Sequence, residues 1–218
     1  MAKRMTKKEK ERDSRILALL DNEYSTEYRC YLNYETPWQL LIATMLSAQC
    51  TDARVNIVTK DLFKKYPDAE AFAAADLSEL ENDIRSTGFY KNKDKNIISC
   101  CQRILEVYDG EVPDTMEDLL TLAGTGRKTA NLVLGDIYKK PAVVVDTHCI
   151  RLSNRIGLVN NEDPVKIEFE LKKLIPPKRQ LRLCHQLVNH GRARCNARKP
   201  DCDGCEIKEY CKYYSKKK

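Results

Sequence analysis

The architecture of this chain follows from one segment, LAGTGRKTANLVLGDIY at residues 122–138. Gly124 and Gly126 stand two residues apart in it, a spacing that allows a tight turn with positive φ. The backbone N–H groups of such a turn, opening onto a helix, form a concavity that binds an anion. A P-loop has glycine directly before its lysine, but here Arg127 stands between Gly126 and Lys128, so the segment is not a P-loop. We predict instead that the turn binds a phosphate of DNA. A simple connection between two helices is the alternative.

Lys128 lies opposite the apolar face of the helix that this turn opens. Ala130, Val133, Leu134 and Ile137 follow the i, i+3, i+4, i+7 spacing of a buried face. In the first turn, the positive end of the helix dipole disfavours an ammonium group. The position therefore favours a neutral amine that acts as a nucleophile, and a solvated surface lysine is the alternative.

Helical periodicity on both sides of the hairpin predicts an all-α chain. The β-like run Ala142–Val145 has no partner strand, and we predict a buried connector there. Asp146 follows this run. It is predicted to cap the next helix, to act as a base or stabilise an oxocarbenium ion, or to do both. Helices are predicted from Pro37 and over residues 53–66, 68–75, 77–85, 92–108, 114–122, 126–138, 147–158, 164–175 and 178–189.

Ten cysteines occur in the 218 residues, and four of them are crowded near the C-terminus. Cys195, Cys202, Cys205 and Cys211 have the spacing C-x6-C-x2-C-x5-C. Four thiolates on tethers this short predict a closed S4 metal site, for which zinc and an iron–sulfur cluster are both open. The other six are expected to be reduced thiols, because no secretory signal precedes them.

The net charge of +6 hides a strong asymmetry along the chain. Residues 1–12 carry six basic and two acidic side chains, and residues 178–218 carry twelve basic and four acidic ones. Basic ends of this kind indicate a polyanion partner. Since the longest apolar run, around Leu40–Leu46, is too short to cross a bilayer, we expect a cytoplasmic protein with no membrane partner, nucleoid-associated if the source is bacterial.

Four motifs occur together in the order typical of one family of DNA repair enzymes. They are LSAQCTD at 46–52, LAGTGRKTA at 122–130, VDTH at 145–148 and the cysteine spacing at 195–211. On these motifs the chain resembles the endonuclease III family of helix–hairpin–helix DNA glycosylases over residues 13–214. The resemblance implies an all-α fold of two lobes with a [4Fe-4S] cluster in a C-terminal loop, and it favours iron–sulfur over zinc.

The resemblance also implies how the chain is divided. Residues 30–142 would form a helical barrel that carries the hairpin. Residues 13–29 and 143–218 would form an iron–sulfur domain, with a cleft between the two lobes. Residues 1–12 lie outside the family pattern, and we predict a flexible basic tail there.

The reaction implied by the resemblance assigns roles to individual residues. Lys128 would attack C1′ of a damaged nucleotide, expel the base and form a Schiff base, and Asp146 would activate the lysine and steady the positive charge. The base must be flipped out first, so Gln49 would fill the gap and Phe89 would be the wedge beside the orphaned base. The other DNA contacts expected from the motifs are Gly124, Gly126, Arg127, Thr129 and His148.

The sequence therefore predicts a bifunctional glycosylase that removes oxidised pyrimidines from duplex DNA and nicks the abasic site by β-elimination, as a monomer. Two alternatives are a non-catalytic, metal-stabilised DNA-binding module and a mismatch adenine glycosylase, which would lack Lys128. The sequence departs from the family pattern at Ala123, where Pro is usual, and at the aromatic Phe89.

Overall fold

The computed structural model describes residues 6–24 and 30–216, and every regular element within them is helical. This confirms the predicted all-α class. Short 3₁₀ turns occur at Arg85–Thr87, Pro177–Arg179 and Lys208–Tyr210. The α-helices are α1 (Lys7–Glu23), α2 (Pro37–Leu46), α3 (Asp52–Lys65), α4 (Ala69–Ala73), α5 (Leu77–Ile84), α6 (Tyr90–Tyr108), α7 (Met116–Leu119), α8 (Arg127–Asp136), α9 (Thr147–Ile156), α10 (Pro164–Leu174), α11 (Gln180–Ala193) and α12 (Lys212–Ser215).

The chain divides into two compact units. The middle unit is Cys30–Lys140, and the terminal unit joins Met1–Arg29 to Pro141–Lys218. The middle unit therefore ends at Lys140, where the sequence predicted a boundary at residue 142.

The middle unit is built around two buried helices. Every residue of α2 from Leu40 to Leu46 is buried, and so is every residue of α8 from Thr129 to Asp136. The two helices contact each other, so the helix after the hairpin is covered on all sides rather than on one apolar face. A helix enclosed in this way fixes the position of the turn that precedes it.

The terminal unit brings together segments from both ends of the sequence. Apolar residues of α1, such as Ile16 and Leu20, are buried. Asp21 of α1 accepts a hydrogen bond from Arg179 at 2.7 Å and another from Gln186 of α11 at 2.9 Å. The hydroxyl of Tyr24 lies 2.8 Å from Nδ1 of the buried His190. These contacts make α1 an integral part of the unit.

The start of α1 differs from the flexible tail predicted over residues 1–12. The helix begins at Lys7 because Thr6 and Glu9 form a capping box, in which each side chain accepts the other residue's backbone N–H. Arg12 also donates to the carbonyl of Gly157 at 2.7 Å. Residues 1–5 of the predicted tail lie outside the described residues.

Most differences between predicted and observed helices lie at their ends. Helix α6 begins at Tyr90 rather than residue 92, and α11 begins at Gln180 because Pro177–Arg179 form a 3₁₀ turn. Residues 142–145 form no strand, and Ala142 and Val143 are buried, which confirms the connector. In the described part of the chain, no helix combines the length and apolarity needed to cross a membrane.

Candidate active site

The hairpin before α8 makes a tight turn at Gly124. Its φ of +74° lies in the left-handed region, and a Cβ added there would lie 3.0 Å from Cβ of Asn96. Gly126 is the N-cap of α8 with a φ of −95°, so only one of the two glycines needs positive φ. A glycine N-cap has no side chain to accept the first N–H groups of α8, which suits them to an anionic ligand.

The residues that open α8 differ in exposure. Lys128 is exposed, Arg127 is half-buried and Thr129 is buried. The exposed amine of Lys128 stands in the first turn of a helix that is otherwise enclosed. The side chain of Thr129 is not displayed to solvent, so a DNA contact of this residue would use its backbone.

Asp146 performs the capping role that the sequence predicted. Its Oδ1 accepts the N–H of Cys149 at 2.7 Å, and its Oδ2 lies 3.5 Å from Nδ1 of His148. The carboxylate is half-buried at the start of α9. Both of its oxygens are thus held in defined directions. Lys128 belongs to the middle unit and Asp146 to the terminal unit, and the expectation that they act as a pair stays a prediction.

Gln49 and Phe89 share an unusual backbone conformation. Both are non-glycine residues in the left-handed region, with φ of 54° and 50°. Both side chains are exposed, and Phe89 retains 66% of its accessible surface. Such conformations cost about 1–3 kcal/mol each and persist only where the surrounding structure enforces them. Gln49 and Phe89 thus present exposed side chains from strained backbone positions, and their insertion into DNA stays a prediction.

The four clustered cysteines line one small cavity together with apolar side chains such as Ile156 and Ile207. Cys205 Sγ lies 3.5 Å from Nε2 of His190, and Cys211 Sγ lies 3.6 Å from the carbonyl of Arg155. Burial raises the pKa of the Cys205 thiol to about 11. Among residues 6–24 and 30–216, no three His, Cys, Asp or Glu side chains converge as the ligands of a single ion would.

Comparison with known proteins identifies the family. The model of the HhH-GPD superfamily of base excision DNA repair proteins matches residues 42–177. Endonuclease III of Synechocystis sp. is 51% identical over 203 residues, which cover 93% of this chain and 92% of the relative. The chain belongs to the endonuclease III family. Endonuclease III of Escherichia coli is 38% identical over 185 residues, 85% of this chain and 88% of the relative.

A solved endonuclease III structure has the same fold. It is a trapped endonuclease III–DNA covalent intermediate, an estranged-adenine complex, with 39% sequence identity and a TM-score of 0.90. The match covers 98% of this chain and 99% of that one. These similarities confirm the predicted resemblance, the two-lobed fold family and an enzyme of base excision repair.

The two metal groups that the cysteine spacing leaves open place different demands on the thiols. A single tetrahedral zinc ion, with Zn–S of about 2.3 Å, needs sulfurs only about 3.8 Å apart. In an iron–sulfur cluster each thiolate binds a different iron, so the sulfurs stand farther apart around a shared space. The four thiols line one cavity, which brings together the sulfur donors that either group would need.

Three residues with contacts around the cysteine cavity or within the middle unit were not predicted from the sequence. Arg155 donates to the carbonyls of residues 196 and 197 at 2.8 and 2.7 Å, and His190 contacts Cys205. Lys93 is buried and donates from Nζ to the carbonyls of residues 46 and 87. In the sequence KNKDKN at 91–96 nothing distinguishes Lys93 from an exposed lysine.

Proposed function

We propose that this protein is a bifunctional DNA glycosylase and AP lyase that removes oxidised pyrimidines from duplex DNA and cleaves the abasic site by β-elimination. One observation carries the proposal: Lys128 presents an exposed amine at the start of an enclosed helix, in a chain 39% identical to an endonuclease III trapped covalently on DNA. A covalent intermediate requires a nucleophile on the protein.

Lys128 performs the covalent chemistry. Its neutral Nζ forms a bond to C1′ as the bond between C1′ and the base breaks, and the base leaves with a proton. The sugar ring then opens at the C1′–O4′ bond to give a Schiff base. Loss of a proton from C2′ expels the 3′ phosphate, which nicks the strand on the 3′ side of the lesion.

Asp146 acts as the partner of Lys128. Oδ1 is committed to the cap of α9, and Oδ2 is the oxygen that would take a proton from the amine and stabilise positive charge at C1′. His148, 3.5 Å from Oδ2, restricts the direction in which this oxygen presents its lone pairs and is a candidate DNA contact.

The hairpin and two loops hold the DNA. Backbone N–H groups of Gly124, Gly126, Arg127 and Thr129 would bind a phosphate at the uncapped start of α8, and the side chain of Arg127 would add a positive charge. Gln49 would fill the space left by the flipped nucleotide, and Phe89 would stack beside the orphaned base. The partner is thus double-stranded DNA with damaged pyrimidines or abasic sites, bound by a monomer in the cytoplasm or nucleoid.

Cys195, Cys202, Cys205 and Cys211 would hold a [4Fe-4S] cluster. When bound, the cluster supplies folding free energy to a loop that has little apolar core of its own. The shared cavity and the carbonyl contacts of Arg155 support this assignment. Arg192, in the last turn of α11, and Arg198 and Lys199, in the loop that follows, would carry the positive charge that meets DNA.

Borohydride trapping tests the reaction. The protein is mixed with duplex DNA that contains thymine glycol, and the Schiff base is reduced to a stable protein–DNA adduct. We expect the adduct with the wild-type protein and none with Lys128→Ala. The matched control is Lys91→Ala, because Lys91 is also an exposed lysine at the second position of a helix. Binding without trapping by the wild type would support the non-catalytic module, and trapping by Lys128→Ala would assign the nucleophile elsewhere.

Metal analysis tests the cofactor. We expect the purified protein to be coloured and to contain iron and inorganic sulfide. Cys202→Ala should lose iron, whereas Cys184→Ala, a buried cysteine of the same unit outside the cavity, should retain it. A colourless protein that holds zinc and no iron would contradict the assignment.

A further inference from the structure

Lys93 joins two segments of the middle unit that are distant in sequence. Its side chain is buried in α6, with 5% of the residue exposed. Nζ donates to the carbonyl of Leu46 at 2.8 Å and to the carbonyl of Thr87 at 2.9 Å. Burial lowers the pKa of this amine. A lysine is rarely buried without a specific reason.

The two acceptors are alike in kind. Leu46 is the last residue of α2, and Thr87 is the last residue of the 3₁₀ turn Arg85–Thr87. Helix C-termini leave carbonyls without intrahelical partners and carry the negative end of the helix dipole. An ammonium group is therefore the matching donor for both. One ammonium group, that of Lys93, thus binds the C-terminal ends of both α2 and the 3₁₀ turn.

Each fastened carbonyl lies just before a strained residue. Gln49 follows Leu46 by three residues, and Phe89 follows Thr87 by two. These are the exposed, left-handed residues described above, with φ of 54° and 50°. A left-handed conformation in a non-glycine residue needs its flanking backbone to be held in place. The contacts of Lys93 supply that restraint to both loops at once.

We propose that Lys93 is a positioning residue for base flipping, which holds the Gln49 and Phe89 loops at a fixed separation so that both side chains enter the duplex together. This inference rests on the proposed function, because it takes Gln49 and Phe89 as the residues that replace the flipped nucleotide. Lys93 itself is buried and does not reach DNA. Lys93 acts on the geometry of the free protein. Because the two loops are already ordered, DNA binding loses little conformational entropy in them.

The test separates flipping from chemistry by the choice of DNA. A duplex with thymine glycol requires a stacked base to be extruded, whereas single-stranded DNA with an abasic site requires no flipping. Single-turnover rates are measured on both and corrected for the active fraction found by borohydride trapping. For Lys93→Met we expect a rate on the duplex lower by about 10- to 100-fold, and a rate on the single strand within about twofold of wild type.

Two further variants complete the design. Lys93→Arg keeps a charged donor and should recover part of the duplex rate. Lys95→Met removes the same charge from an exposed site on the same helix and should behave as wild type on both substrates. If Lys93→Met does not fold, Lys93→Gln, which keeps an N–H donor for one carbonyl, is measured in the same way.

The outcomes are distinct. A fluorescent base opposite the lesion should report less unstacking with Lys93→Met than with wild type. An equal loss on both substrates would show that Lys93 only supports the fold, and an unchanged duplex rate would show that the loops need no tether. Either result refutes the proposal. If the wild-type protein cuts neither substrate, it is the proposed function that fails, and the positioning role falls with it.

Discussion

Gly191 of α11 packs closely against α9, and replacing it with alanine tests how tightly that packing holds His148 of the candidate site. An added Cβ would lie 2.6 Å from Cδ2 of His148, 2.8 Å from Nη2 of Arg151 and 3.3 Å from Cδ1 of Leu152. Contacts below 3.0 Å are not tolerated, so the imidazole ring and the guanidinium must move or the helices must separate.

Two opposing contributions set the magnitude. Alanine in a helix interior is favoured over glycine by about 1 kcal/mol. Overpacking costs about 1–3 kcal/mol, and moving Arg151 also threatens its 3.2 Å hydrogen bond to the carbonyl of Cys195, a bond of a kind worth about 1.5–3 kcal/mol. Because the crowding exceeds the helix preference, we expect Gly191→Ala to lower the free energy of unfolding by about 1–2 kcal/mol.

The assay is urea unfolding of the wild type, both single variants and the double variant with His148→Ala. Removing the ring removes the closest contact, so the cost of Gly191→Ala should fall in the His148→Ala background, with a coupling energy of about 0.5–3 kcal/mol. A Gly191→Ala protein at least as stable as wild type, or a cost unchanged by His148→Ala, would refute this account of the packing.

Three other substitutions test features outside this contact. Gly124→Ala should lower stability by about 1–3 kcal/mol in urea unfolding, because its φ is +74° and Cβ would crowd Asn96; a neutral result would show that the hairpin relaxes. Arg155→Met should release iron to a chelator several times faster, since it removes two hydrogen bonds to the carbonyls of residues 196–197, and an unchanged rate would count against that role. Thr6→Ala should cost about 1 kcal/mol and speed amide exchange in the first turn of α1, whereas unchanged exchange would mean that the capping box contributes nothing.

The sequence predicted the helices well because each carries its own signals. Pro37 and Pro164 begin helices as expected of first-turn prolines, and Asp146 caps α9. The start of α6 was harder to predict from the sequence, because Phe89 takes a left-handed conformation that no local pattern indicates. The tail predicted over residues 1–12 is wrong from Lys7 onward, because Thr6 and Glu9 cap a helix there in spite of its high charge.

The candidate site also contains residues that the sequence identifies and residues that it does not. Lys128, the hairpin and the four cysteines stand out in the sequence because rare residue types recur at fixed spacing. Lys93 and Arg155 do not, because their roles come from acceptors brought near by tertiary packing, 47 residues away for the carbonyl of Leu46 and 41 for that of residue 196. Every residue has a backbone carbonyl, so a side chain that binds one produces no recognisable pattern in the sequence.

The discontinuous terminal unit also sets an order of events during synthesis. Helix α1 leaves the ribosome well before the segment from Pro141 onward, which supplies its packing partners. A 17-residue helix is only marginally stable alone, and at about 5–20 residues per second the wait lasts several seconds or more. The middle unit, by contrast, is complete once Lys140 has been synthesised. The pocket of the four cysteines is therefore completed last, after the whole hairpin has been synthesised.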